Sequence, residues 1–167
     1  MARRCFFSFH YKPDNWRASQ VRNMGKIEGS KAVSDNDWET VTKGGNKKIK
    51  EWIKDQMSGR SCTVVLIGAN TSGRKWITHE IVESWNDGMG VFGVHIHNLK
   101  NSTGKQSSKG SNPFYSITAG KDKKRLSTIV ETYDPPYLTS TYVYDHIEKN
   151  IADWADEAVK IRKDFKG

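Results

Sequence analysis

The chain has 167 residues, of which 27 are Lys or Arg and 19 are Asp or Glu, so its formal net charge is +8. At this length one domain with a buried core is expected, and six Trp, six Tyr and six Phe supply bulky side chains for that core, which argues against a disordered chain. No apolar run approaches the roughly 18 residues of a transmembrane helix, and the apolar stretch near the basic start is too short for a signal peptide. Two cysteines do not make a disulfide framework, which favours reduced thiols in a cytoplasmic protein.

The apolar residues recur with the spacing of alternating strands and helices. The predicted elements, in chain order, are a strand at 5–9, a helix at 14–23, a helix at 46–57, a strand at 61–68, a helix that ends at Gly88, a strand at 91–97 and a helix at 141–165. We expect Asp14 and Asn46 to cap the first two helices. Residues 25–45 predict a loop around one short strand, and 125–133 predict a further strand. This order, with unbroken apolar strands, predicts a parallel sheet that helices cover on both faces.

Residues 99–125 carry seven basic residues against one acidic residue and are rich in Gly, Ser and Asn. This composition predicts a long surface loop or an insertion in the domain. A basic loop can bind nucleic acid or a phosphorylated molecule, but Lys-rich loops often only keep a protein in solution. No recognisable nucleic-acid-binding motif accompanies this loop, so the sequence disfavours a nucleic-acid partner.

In a parallel sheet, ligands bind beyond the carboxyl ends of the strands. This rule places the segments after Phe9, Gly68 and His97 on one rim. The motifs of Rossmann dinucleotide-binding domains, P-loops, serine hydrolases and zinc proteases are absent from the chain. His95 and His97, together with His10, raise the question of a metal, but no ligand set with suitable spacing accompanies them. We therefore expect no metal site.

Six sequence blocks carry a resemblance to a known family. They are FFSFHY (6–11), VLIG (65–68), RKWITHEI (74–81), GVHIHNLK (93–100), KGSNPF (109–114) and VYDHIEKNIADW (143–154). In this order they resemble the TIR-like proteins of Thoeris antiphage defence systems through most of the chain. The resemblance implies a flavodoxin-like parallel sheet in a single domain over 1–167, with the basic loop at about 99–125. That fold agrees with the alternation of strands and helices.

The resemblance also implies an enzyme of the NAD⁺ nucleosidase or ADP-ribosyl cyclase type. Such an enzyme cleaves NAD⁺ between nicotinamide and ribose and makes a cyclic or rearranged ADP-ribose signal, which activates a separate effector in antiphage defence. NAD⁺ is then the substrate, and no further cofactor is implied. The resemblance leaves room for a phage-derived trigger and for a homo-oligomer.

The resemblance implies that Glu80 is catalytic, because enzymatic TIR domains carry a Glu four residues after a Trp, as Trp76 and Glu80 are spaced here. A carboxylate suits the reaction, since departure of nicotinamide leaves positive charge on the ribose. From the residues alone, Glu80 also fits a surface Glu that interacts with the helix dipole. Arg22 and Arg74 either face phosphates or lie in solvent. The predicted substrate contacts are Phe7, His10, Tyr11, Asn70, Ser72, Trp76, Asn112 and Phe114.

Two other functions remain open at this stage. The first is a non-catalytic TIR module in which helical faces pair between subunits, but that function leaves the spacing of Trp76 and Glu80 unexplained. The second is a nucleic-acid-binding protein that uses its basic surface. It ranks last, because most of the aromatic residues fall in core-like strands.

Overall fold

The computed structural model describes residues 2–30 and 40–167. Its centre is a sheet of four parallel strands, which lie side by side in the order Cys5–Phe9, Cys62–Ile67, Gly90–His95 and Thr132–Tyr133. The strands are β1 (Cys5–Phe9), β2 (Cys62–Ile67), β3 (Gly90–His95), β4 (Thr118–Ala119), β5 (Lys124–Arg125) and β6 (Thr132–Tyr133). Strands β4 and β5 form a separate antiparallel pair. The α-helices in these described ranges are α1 (Tyr11–Asn23), α2 (Gly45–Met57), α3 (Lys75–Asn86) and α4 (Ser140–Asp164), and residues 40–43 are helical as well.

Helices cover both faces of the sheet. On one face, α1 and α4 pack against a cluster that contains Phe7 and Phe92. On the other face, α3 packs against Val65 and Ile67, while α2 packs against Phe6. The neighbouring residues Phe6 and Phe7 serve opposite faces because successive side chains of a strand alternate. The structure confirms the predicted parallel sheet with helices on both faces.

The strand register brings the candidate rim residues to one edge. Phe9 lies beside Leu66 in the pairing of β1 with β2, and Ile67 lies beside His95 in the pairing of β2 with β3. Because these strands are parallel, the segments that follow them all emerge at the same edge. Strand β2 ends one residue earlier than predicted, and β3 ends two residues earlier, so His97 lies beyond the end of β3.

The predicted start of the first helix is wrong. Helix α1 begins at Tyr11, with Pro13 in its first turn, where the missing N–H of a proline costs no helical hydrogen bond. Asp14 therefore does not cap the helix. Its side chain is buried, and it accepts a 2.9 Å hydrogen bond from Arg17 one turn later.

Two further predictions need correction. Asn46 lies inside α2, whose N-cap residue is Gly44, and no side chain caps that helix. The predicted strand at 125–133 is extended only near its two ends, in β5 and β6, with a 3₁₀ turn between them. Leu126 and Val130 are both buried in the same core cluster, and a spacing of four residues suits a helical turn better than a strand.

The short strand predicted within 25–45 is described only in part. Arg4 and Glu28 form an isolated parallel bridge beside β1, and residues 31–39 lie outside the described residues. The loop predicted for the end of this segment is wrong, because residues 40–43 are helical.

The segment at 99–125 is tied to the rest of the domain. Arg17 donates hydrogen bonds of 2.8 Å to the carbonyls of Leu99 and Lys105, and Phe114 is fully buried in the core cluster under α3. Within the described parts of the chain, no helix is both long and apolar enough to span a membrane.

Candidate functional site

A cavity of about 340 Å³ lies at the carboxyl end of β1, between the start of α1, the side of α2 and the first turn of α3. This volume falls at the lower end of the roughly 300–1,000 Å³ that small-molecule sites occupy. Six aromatic side chains are among the described residues that line it: Phe6, Phe7, Phe9, Tyr11, Trp52 and Trp76. The cavity therefore offers flat apolar surfaces on which a planar ring can stack.

Glu80 lines this cavity from α3, and its side chain is 8% exposed. The hydroxyl of Ser8 donates a 2.7 Å hydrogen bond to Glu80 Oε1. Ser8 lies two residues after Phe6 on β1 and so faces the same side of the sheet, toward α2 and α3. The alternative that Glu80 is a surface residue is wrong.

Burial raises the pKa of Glu80 from its ordinary value of 4.5 to about 8, and the hydrogen bond from Ser8 acts in the opposite direction. At neutral pH the side chain is therefore mostly protonated, and it titrates within the physiological range. A positive charge placed beside it favours the carboxylate and lowers its pKa again. The site thus holds a carboxyl group whose ionisation responds to a cationic ligand.

The structure brings five of the predicted site residues together. Phe7, His10, Tyr11 and Trp76 line the cavity with Glu80. His10 stands directly after β1, where burial and the nearby Arg74 lower its pKa.

The four other predicted substrate contacts lie outside the cavity lining. Asn70 is exposed, and its carbonyl accepts a 2.9 Å hydrogen bond from Arg74. Ser72 is half-buried in the loop between β2 and α3. The Asn112 side chain accepts a 2.9 Å hydrogen bond from the backbone of Phe114, whose ring is part of the core. Sharing a rim with the cavity does not place these residues beside it, because the cavity occupies only the β1 end of that rim.

Comparison with known proteins decides the family. The family model for the TIR-like domain of Thoeris protein ThsB matches residues 6–101. The chain belongs to this family. The resemblance to the Thoeris family is thereby confirmed. The matched range contains the four sequence blocks up to residue 100 and every described residue of the cavity lining.

A curated ThsB relative supports the same family. The Bacillus cereus (strain MSX-D12) protein named "Putative cyclic ADP-D-ribose synthase ThsB1" is 40% identical to the chain over 119 residues. This stretch is 68% of the chain and 62% of the relative, so the chain spans less than two thirds of the relative's length.

Several residues of the site were not predicted from the sequence. Ser8 does not line the cavity but holds Glu80. It is a polar residue inside an apolar strand, and the alternation of β1 places it on the same face as Phe6, which is the signal that could have found it. Trp52 lies on the apolar face of α2, and that position predicts a core residue instead of a cavity residue. Lys12 and Lys75 also line the cavity, because the N-terminal ends of α1 and α3 lie beside it.

His95 and His97 stand near the end of β3, with ring centroids 5.8 Å apart. Burial lowers the pKa of His95 to about 4 and lowers that of His97 as well, so both rings are neutral at neutral pH. Across residues 2–30 and 40–167, no three His, Cys, Asp or Glu side chains are grouped to hold a metal ion.

Proposed function

We propose that this protein cleaves NAD⁺ between nicotinamide and ribose in the cytoplasm and converts the rest of the molecule into a cyclic ADP-ribose signal. That signal acts on a separate effector in Thoeris antiphage defence. The observation that carries the proposal is the Glu80 carboxyl, buried in an aromatic-lined cavity and held by Ser8. The 40% identity with a protein named as a cyclic ADP-D-ribose synthase supports it.

The cavity suits the nicotinamide–ribose end of NAD⁺. A positively charged nicotinamide ring stacks favourably on aromatic faces, because the face of an aromatic ring is electron-rich. The same positive charge, brought next to Glu80, favours loss of the carboxyl proton. Substrate binding thus produces the carboxylate that the reaction needs.

The first chemical step breaks the bond between C1′ of the ribose and the nicotinamide nitrogen. The bonding electron pair leaves with nicotinamide, which becomes neutral, and C1′ acquires oxocarbenium-like positive charge. The Glu80 carboxylate stabilises that charge and accepts hydrogen bonds from the ribose hydroxyls. Ser8 fixes one carboxylate oxygen, so the group is already oriented when the charge develops.

The second step closes the ring. A nucleophilic atom of the same ADP-ribosyl group forms a bond to C1′, and one proton is released to the solvent, so the product contains one water fewer than ADP-ribose. Attack by water would instead give ADP-ribose. The apolar wall favours the internal nucleophile, because it keeps water away from C1′.

The test is to incubate the purified protein with NAD⁺ and analyse the products by mass spectrometry. We expect nicotinamide together with a product one water lighter than ADP-ribose. The same assay in a lysate of phage-infected cells supplies a trigger if one is needed. Absence of nicotinamide release under both conditions would contradict the proposal and favour a non-catalytic interaction module.

A further inference from the structure

Four cationic side chains line the cavity that contains Glu80. They are Lys12, Arg22, Arg74 and Lys75. Within the described part of the chain none of the four forms an ion pair, whereas Arg3, Arg4, Arg17 and Lys109 each have a carboxylate partner. Glu80 is the one carboxyl among the described lining residues, and its Oε1 accepts the hydrogen bond from Ser8 rather than one from a cation. The cavity therefore carries a surplus of positive charge that the described protein groups do not neutralise.

Arg74 is the best placed of these four cations. Its Nε donates a 2.9 Å hydrogen bond to the carbonyl of Asn70, which fixes the side chain, and its two terminal nitrogens have no partner among the described residues. Arg74 is exposed and immediately precedes α3, so its guanidinium stands at the solvent side of the cavity. Arg74 and His10 line the same cavity, and His10 directly follows β1. Burial and the charge of Arg74 both lower the pKa of His10.

Two of the other cations are held against the aromatic wall. Lys75 Nζ lies 4.9 Å from the centre of the Trp76 ring. The Arg22 guanidinium lies 5.4 Å from the Phe7 ring, and its Nε donates a 3.1 Å hydrogen bond to the Ser30 carbonyl. The wall of the cavity thus offers both aromatic faces and positive charge, as a ligand that has both a planar ring and an anionic group requires.

We propose that these cations, with Arg74 as the principal contact, bind the diphosphate of the dinucleotide and select it over nicotinamide nucleosides that lack phosphate. The proposal rests on the proposed function for the identity of the substrate. A guanidinium presents two N–H groups in a fork that fits two phosphate oxygens, and such charge-assisted hydrogen bonds are stronger than neutral ones. The diphosphate would lie at the solvent side while the nicotinamide–ribose end fills the cavity.

The first test compares NAD⁺ with nicotinamide riboside as substrates of the Arg74→Gln variant. We expect kcat/KM for NAD⁺ to fall about tenfold relative to kcat/KM for nicotinamide riboside, mainly through a higher KM, as the loss of one charged contact implies. Arg74→Lys keeps the positive charge but not the forked pair of N–H groups. Its kcat/KM for NAD⁺, relative to that for nicotinamide riboside, should lie between the values of Arg74→Gln and the wild type. The matched control is Arg125→Gln, since the exposed Arg125 lies over Tyr115 outside the cavity lining.

The second test measures ADP binding by calorimetry, because ADP has the diphosphate but no bond to nicotinamide. We expect Arg74→Gln to weaken ADP binding about tenfold and Arg125→Gln to leave it unchanged. Weakened ADP binding without any NAD⁺ cleavage by the wild type would support the diphosphate site and contradict the proposed function. An unchanged substrate ratio, or equal ADP affinity in the wild type and Arg74→Gln, would overturn the diphosphate site.

Discussion

The burial of Glu80 has a measurable consequence for stability. Its pKa is about 8 in the folded protein against an ordinary value of 4.5, so between these pH values the folded state binds more protons than the unfolded state. The free energy of unfolding therefore falls as pH rises through this window and levels off above about pH 8. Glu80→Gln replaces the carboxyl with a neutral amide that can still accept the hydrogen bond from Ser8, and it removes this pH dependence.

The size of the effect follows from the two pKa values. Each pH unit inside the window contributes about 1.4 kcal/mol. Integrated from pH 5.5 to pH 8.5, the free energy of unfolding should fall about 3 kcal/mol more in the wild type than in Glu80→Gln. This is a large share of the roughly 5–15 kcal/mol by which small domains are stable.

The assay is urea unfolding of both proteins at several pH values from 5.5 to 8.5. The difference between their curves isolates Glu80, because other groups, including His95 and His97, titrate in both. Glu83→Gln is the control for the change from carboxyl to amide, since Glu83 lies on the same helix outside the cavity lining. Parallel curves for the wild type and Glu80→Gln would show that the carboxyl is solvated in solution, and the reasoning would fail.

Three more substitutions test separate parts of the structure. Ser8→Ala removes the hydrogen bond that lowers the pKa of Glu80. Since kcat/KM should rise with pH as Glu80 loses its proton, the midpoint of that rise should move to higher pH in this variant, and an unmoved midpoint would contradict the role of Ser8. Cys62→Ser should destabilise the fold yet keep kcat/KM, because the neighbouring Cys5 and burial raise the pKa of this thiol and make it inert; mass spectrometry that finds an adduct on Cys62 during turnover would refute this. Replacing the three lysines at 121–124 with Gln should leave product formation and phage protection unchanged, since they lie outside the cavity lining; loss of activity in the folded variant would bring this loop into the site.

The architecture could be predicted because the main strands are short, continuous apolar runs. β1 and β2 are buried along nearly their whole length, as their sequences indicate, and such strands belong to a sheet covered on both faces. The ends of helices were harder to predict. Pro13 is compatible with a helix that starts after it, but a proline is equally well tolerated in the first turn of a helix, which is where it lies in α1.

The catalytic candidate followed from a family resemblance, and its environment did not follow from the sequence at all. The spacing of Trp76 and Glu80 identifies the residue but says nothing of its burial. Burial depends on the packing of α3 against β1, which brings Ser8 and Glu80 together across 72 positions of sequence. The rule that strand ends share one rim predicts a place for Asn112 and Phe114 on that rim, but it does not fix their position along it.

The most direct test of the central claim is the rate of nicotinamide release from NAD⁺ by the wild type, Glu80→Gln and Glu83→Gln under identical conditions. Removing one preorganised electrostatic contact in an enclosed site typically lowers the rate about 10²–10³-fold, so Glu80→Gln should lose at least that much. Glu83→Gln should keep most of the wild-type rate, because its side chain does not line the cavity. Nicotinamide release by folded Glu80→Gln at a rate close to that of the wild type would contradict the account.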